Sequence, residues 1–199
     1  MFQMVEEGLS CPVCGMPLGI RKLCGRCLDK KRLFHEGLYG FYYENRLREA
    51  IHSFKFSGRK DVGRRLVRLV ESKIVAFAHQ FNCIIPLPVT DKRLRQRGFN
   101  QSYILAEEIS GMTGRPIFHS ILLKTRETKD QYTLSKEERK KNVRGAFSLD
   151  HKVSHVITGK SVLLVDDLYT TGQTAREATR VLLQVKPERV VLFALARTP

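Results

Sequence analysis

Residues 162–174 read VLLVDDLYTTGQT, and no other stretch restricts the fold so tightly. Four apolar residues in a row predict a short strand buried on both faces, which in a soluble protein means a parallel sheet covered by helices. Asp166 and Asp167 are expected at the carboxyl end of that strand, where open α/β sheets place their ligands. Thr170, Thr171, Gly172, Gln173 and Thr174 then lead into a helix. The first amides and the dipole of such a helix favour an anion, and Gly172 lets backbone approach it closely. Two adjacent carboxylates would repel phosphate, but they accept hydrogen bonds from hydroxyl groups. A phosphate with a vicinal diol beside it, as in a ribose 5-phosphate, satisfies both halves. The competing reading is a plain strand–turn–helix with a solvated acid pair.

The flanking pattern supports an α/β fold with a parallel sheet. CIIPLP (83–88) and residues 189–196 read as further buried strands, and residues 115–124 hold another apolar run. A helix over 101–110 turns Ile104, Leu105 and Ile109 inward; one over 174–185 buries Ala175, Ala178, Leu182 and Val185. Upstream, GLYGFYYE (37–44) reads as a strand or hairpin arm. Residues 45–56 form a short helix with Leu47, Ala50, Ile51 and Phe54 on one face. Over 62–77, Val62, Leu66, Leu69, Val70, Ile74 and Phe77 recur at helical spacing opposite Arg64, Arg65, Arg68 and Lys73. That basic face reads as solvated surface or as a nucleic-acid contact.

Four of the five cysteines, Cys11, Cys14, Cys24 and Cys27, form two C-x2-C pairs nine residues apart. Each pair turns two thiolates toward one ion, and two pairs complete a tetrahedron with no open position, so structural Zn2+ is expected rather than catalytic metal. Gly15 and Gly25 each follow a cysteine, as tight loops require. Arg21, Lys22, Arg26 and Lys30 are placed to offset the thiolate charge. The division that follows is a four-cysteine zinc-binding module over 1–33 and one α/β domain over 34–199. Cys83 reads as core.

Thirty-five Lys and Arg against 20 Asp and Glu give a formal charge of +15 over 199 residues. Such an excess favours an anionic partner, either nucleic acid or a heavily phosphorylated small molecule. The first ten residues lack a basic leader and an apolar run, and no apolar stretch is long enough to span a bilayer, so a cytoplasmic protein without membrane contact is expected. Cations concentrate in PLPVTDKRLRQRGFNQS (86–102), read as a loop leaving a strand. There Arg95 and Arg97 are the leading candidates for pyrophosphate contact, ahead of Lys92 and Arg93, because guanidinium matches phosphate oxygens in pairs. Asn100 and Gln101 donate to the same group, or Asn100 caps the next helix. Residues 124–147 are long, polar and charge-dense, either a loop that closes over substrate or plain solvated loop.

VLLVDDLYTTGQT resembles the signature of type I phosphoribosyltransferases. With CPVC…CGRC, FKFSGRKDVGRRL, PLPVTDKRLRQRGFNQS and the Q-x2-L…R-x2-N-x2-GAF run from Gln131, nearly the whole chain resembles the ComF family of bacterial competence proteins. The resemblance implies a phosphoribosyltransferase-like domain joined to a zinc module. Asp166 and Asp167 are then the candidate catalytic pair on the ribose hydroxyls, with Thr170, Thr171, Gly172, Gln173 and Thr174 on the 5-phosphate. The family loop signature comprises Gln131, Leu134, Arg139, Asn142 and the turn at 145–147. It marks Arg139 as a further phosphoribosyl-pyrophosphate ligand, with Asn142 behind it, and Lys55 lies near the pyrophosphate by the same analogy. The implied role is handling incoming single-stranded DNA in natural transformation, alongside a helicase-like ATPase. Mg2+ comes with the ligand class.

Three functions fit these features: a phosphoribosyl-pyrophosphate-binding protein that contacts single-stranded DNA, an active Mg2+-dependent phosphoribosyltransferase, or an adaptor whose zinc module docks the ATPase. For the transferase, no hood follows Ala196, so the acceptor pocket is expected from residues between about 30 and 80. For DNA, Tyr39, Phe41, Tyr42 and Tyr43 are either base-stacking groups or core.

Overall fold

The computed structural model describes residues 2–28, 33–127 and 143–198. Its centre is a four-stranded parallel sheet in the order β1 (Gly37–Tyr42), β6 (Arg189–Arg197), β5 (Ser161–Tyr169) and β2 (Cys83–Pro86). Gly37 pairs with Leu192, Ser161 with Arg189 and Cys83 with Val162. The edge position of β1 resolves the hairpin-or-strand question for GLYGFYYE. The apolar run at 115–124 does not join as a full strand. It makes a single parallel bridge, Ile84 to Ile117, and then β3 (Leu122–Lys124), which pairs antiparallel with β4 (Phe147–Leu149) as a separate ribbon.

Strand alternation sorts β5 onto two cores. Val162 and Leu164 pack on one face with Tyr39, Leu192 and Ala194; Leu163 and Val165 pack on the other with Phe41, Val191 and Phe193. All four of these β5 residues are buried, and each contributes about 1.5–3 kcal/mol by leaving water. The second face is covered by α2 (Asn45–Phe56), α3 (Lys60–Arg68), α4 (Glu71–Phe77) and α6 (Gln101–Thr113). The first is covered by α7 (Gln173–Leu182), the β3–β4 ribbon and the cysteine segment, with its short α1 (Gly25–Leu28).

Two local readings are corrected. The helix expected over 62–77 breaks after Arg68: Leu69 closes α3 and stands 52% exposed before α4 starts at Glu71. The basic segment expected as a loop contains α5 (Asp91–Arg97), capped by Thr90, whose hydroxyl accepts from the Arg93 amide at 3.4 Å, and closed by Gly98 at φ 75°. That positive φ favours glycine.

Candidate functional site

The functional elements meet along the carboxyl end of the sheet, around a cleft of about 1030 Å3. β5 runs further than its apolar stretch predicts. It continues through Asp166 and Asp167 to Tyr169, with Asp166, Leu168 and Tyr169 in register with β6, so the acids stand within a strand and do not sit on a loose loop. Both line the cleft. Asp166 Oδ1 accepts from the Asp167 amide at 2.9 Å. The Lys55 ammonium, arriving from the last turn of α2, lies 2.5 Å from Asp167 Oδ2 as an ion pair without hydrogen-bond alignment. Burial, and then the Asp167 charge beside it, push the Asp166 carboxyl up to about 7; Lys55 opposes this more weakly. Two carboxylates sharing one ammonium leave this spot short of positive charge.

Beyond the acids the backbone turns through Thr170 and Thr171 to Gly172, which begins α7 at φ 74°. Its Cα faces the Tyr169 ring, and a side chain there would collide with the hydroxyl. Thr170 and Thr174 line the cleft, whereas Thr171 and Gln173 stand in the turn beside it, half-buried. The Thr171 hydroxyl is buried with no hydrogen-bond partner among the described residues. An anion on the α7 amides would give such a donor its acceptor.

Cations ring the opposite rim. Arg97 lines the cleft, places its guanidinium 4.8 Å over the Phe56 ring and donates to Gln101 Oε1 at 3.2 Å. Gln101 is 2% exposed, and its Nε2 has no partner among the described residues, a second donor left over in the wall. Arg95 points elsewhere: it is exposed and does not line the cleft, and Arg93, one helical turn before Arg97 and so on the same face of α5, lines it with Arg97. Asn100 takes the capping role, accepting from the Ser102 amide at 3.0 Å and donating to Leu87 O at 3.0 Å.

Lys124 also lines the cleft. Burial and then Arg93 lower its pKa, while Asp166 and Glu127 pull it up. No local pattern marked it. Arg139 and Asn142, like Gln131 and Leu134, lie outside the described residues. The end of that polar segment is in view: Gly145 donates to Glu177 of α7 at 2.7 Å, and Glu177 also pairs with Arg180 at 2.8 Å. Of the four aromatics considered for base stacking, Tyr39, Phe41 and Tyr42 are buried, and only Tyr43 reaches the cleft.

A second centre lies behind the sheet. The ligand atoms of Cys11, Cys14, Cys24 and Cys27 all lie within 4.8 Å of one another. Cys14 Sγ and Cys24 Sγ are 3.6 Å apart, and the Cys24 amide reaches Cys11 Sγ at 3.5 Å. Sulfurs at about 2.3 Å from a tetrahedral ion sit about 3.8 Å apart, so this cluster fits a metal. A hydrogen bond from Cys27 brings the Cys14 thiol down to about 5. Cys27 is raised by the same contact, and Cys24 is raised by burial. Of the cations expected to balance the cluster, Arg21 is taken by Glu36, and Lys30 lies outside the described residues. Arg197, at the end of β6 and 2% exposed, has its Cδ close against Gly15 of the CPVCG turn; its place in an apolar strand gave no sign of this. Cys83 stands apart in the core, its thiol raised to about 11 by burial.

Comparison with known proteins gives a consistent picture. The family described as "Phosphoribosyl transferase domain" matches residues 97–199, just over half of the chain. "DNA utilization protein YhgH" of Escherichia coli (strain K12) is 32% identical over 194 residues, covering 94% of this chain and 84% of that protein. "Competence protein F" of Haemophilus influenzae is 30% identical over 193 residues, with the same coverage. Among solved structures, glutamine phosphoribosylpyrophosphate amidotransferase from B. subtilis, complexed with ADP and GMP, aligns with a TM-score of 0.47 at 20% identity. That alignment covers 72% of this chain and 30% of the other. No helix among the described residues is long and apolar enough to cross a membrane.

Proposed function

The chain belongs to the phosphoribosyl transferase domain family, in the ComF family of competence proteins, and from that membership we propose that it binds phosphoribosyl pyrophosphate or a similar ribose phosphate and acts in DNA uptake. One observation carries the reading. A strand-fixed acid pair and the amino terminus of α7 share a cleft whose other rim holds Arg93, Arg97 and Lys124. Asp166 and Asp167 accept the ribose hydroxyls. Thr170, Thr171, Gly172, Gln173 and Thr174 receive the 5-phosphate on amides and hydroxyls. Arg97, with Arg93 and Lys124, meets the pyrophosphate; the family loop signature adds Arg139, which lies outside the described residues.

Mg2+ suits this set, since it takes one or two carboxylates together with substrate phosphates. Asp166 and Asp167 are the groups to hold it, and when bound it neutralises charge between the acids and the pyrophosphate. Zn2+ suits the four sulfurs of the amino-terminal module (1–33), which supports the domain (34–199) without taking part in chemistry. Single-stranded DNA is the macromolecular partner, attracted by the +15 charge. The names of the relatives point to the same process, in which a helicase-like ATPase would work beside this protein, in the cytoplasm.

Turnover is a second reading, favoured by the size of the cleft. At about 1030 Å3 it stands at the top of the usual range of about 300–1,000 Å3 for single-ligand sites, and it extends along α2 past His52 and Phe56. That leaves space for an acceptor at C1. Calorimetric titration of phosphoribosyl pyrophosphate with Mg2+ tests the binding reading. The wild type should bind, and the double variant Asp166→Asn, Asp167→Asn should lose binding while keeping its circular-dichroism spectrum. Equal affinity in both would remove the acids from the site. Pyrophosphate release in the presence of nucleobases or DNA ends separates turnover from binding alone.

A further inference from the structure

The cysteine module and the phosphate turn lie on opposite sides of two tyrosines. Tyr39 on β1 and Tyr169 at the end of β5 meet edge to face, ring centroids 5.1 Å apart and planes at 70°. On the module side the Tyr39 hydroxyl donates to Val13 O at 2.7 Å, inside the turn between Cys11 and Cys14. Gly15 and Gly37 press so closely on the Tyr39 ring that neither has room for a side chain. On the other side Gly172 packs on the Tyr169 ring under the same restriction. Contacts therefore run without a gap from CPVCG through Tyr39 and Tyr169 to the residue that begins α7. All of these apolar groups belong to one buried cluster that also holds Cys11, Cys14 and Cys24.

From this contact chain we propose that Tyr39 and Tyr169 are positioning residues that make ribose-phosphate binding depend on the metal state of the four-cysteine module. The inference rests on the proposed function, since it names what controls that same site. A filled module holds the CPVC turn, and with it Val13 O, in one place. With the metal gone, four sulfurs crowded within 4.8 Å no longer share a central charge, and the turn relaxes. Close-packed interiors transmit such shifts because they have no slack to absorb them. The Tyr39 ring follows Val13, Tyr169 follows Tyr39, and Gly172 loses the surface that sets the first turn of α7. Neither ring lines the cleft, so the effect is on geometry and not on chemistry. Coupling is reciprocal by thermodynamic necessity: if metal tightens ribose-phosphate binding, ribose phosphate must tighten metal binding by the same factor.

The test uses the zinc-loaded full chain and ribose 5-phosphate. The equilibrium partition of zinc between the chain and a chromogenic chelator is measured with and without saturating ribose 5-phosphate, and ribose 5-phosphate affinity is measured by calorimetry before and after zinc removal. Couplings of this kind fall at about 5–150-fold, so the ligand should tighten zinc about tenfold and zinc loss should weaken the ligand about tenfold. Tyr39→Phe removes the hydroxyl that donates to Val13 O, and Tyr169→Phe removes the hydroxyl against Gly172. Each should keep zinc yet shrink the linkage several-fold. A wild-type zinc affinity indifferent to saturating ligand overturns the proposal, as does full linkage in both Phe variants. If zinc removal unfolds the chain, the Phe variants still decide, because linkage that both retain in full does not run through the tyrosines. Ribose 5-phosphate binding without linkage removes this inference alone; no binding to the zinc-loaded wild type removes the functional reading and this one with it.

Discussion

Asp166→Asn should stabilise the protein, and by an amount that depends on pH. Desolvation in the cleft wall, and then the Asp167 charge, push the native carboxyl up to about 7 from its ordinary 3.8. Below about pH 4 both the native and the unfolded chain carry the proton, and the residue has no effect. Between about 4 and 7 the unfolded chain releases a proton that the native state retains, so stability falls as pH rises. Above 7 the native state must hold a second carboxylate against Asp167, and the loss is complete. At about 1.4 kcal/mol per pKa unit, three units amount to roughly 4 kcal/mol. Asparagine has the shape of the protonated acid and cannot ionise. The variant should match the wild type near pH 3, exceed it by a little under about 2 kcal/mol at pH 5, and exceed it by about 4 kcal/mol at pH 8. Urea denaturation of both proteins across this range, without ligand or Mg2+, reads the gap, and groups away from Asp166 that titrate in both proteins cancel in the difference. A gap of constant size from pH 4 to pH 8, or a variant less stable at pH 8, would refute the claim that Asp166 is held against its charge.

The same reasoning reaches the turn and the rim. Gly172→Ala meets two penalties, a left-handed φ of 74° and the Tyr169 ring; the backbone alone accounts for about 1–2 kcal/mol. Its melting temperature should fall by at least about 2–4 °C and ribose 5-phosphate binding should be lost, whereas an unchanged melting temperature would mean the turn is not built as described. For single-stranded DNA, log affinity against log salt should slope by about −0.7 for each phosphate contacted. Arg97→Ala and Lys124→Ala should each flatten it by about that amount, and a slope untouched by either places DNA away from the cleft.

What the sequence could reveal depended on whether the cause was local. β5, β6 and β2 were legible because their apolar runs are buried on both faces, and α6 and α7 because their inward residues recur at helical spacing. The acid pair, the Thr–Gly turn and the cysteine cluster were legible because each is contiguous or closely spaced. α5 was not, since DKRLRQR has a single apolar residue and its helix is set by the Thr90 cap and the Gly98 stop. Nor was the choice between Arg93 and Arg95, which follows from the face of α5, shared by Arg93 and Arg97 one turn apart, that lines the cleft. Lys55 shows no shared pattern with Asp167, and Lys124 none with Asp166; they meet because α2 and the β3–β4 ribbon end at the same sheet edge. The Tyr39–Tyr169 contact spans 130 positions and exists only through the pairing of β1 and β5 with β6.

A crystal structure of the chain with ribose 5-phosphate would decide whether the acid pair and the turn form one site. Phosphate oxygens should lie within hydrogen-bond reach of the backbone amides of the turn from Thr170 to Thr174, with the sugar's two hydroxyls on Asp166 and Asp167. A sugar phosphate seated elsewhere in the cleft, with the acids turned from it and the first amides of α7 bare, would contradict that placement.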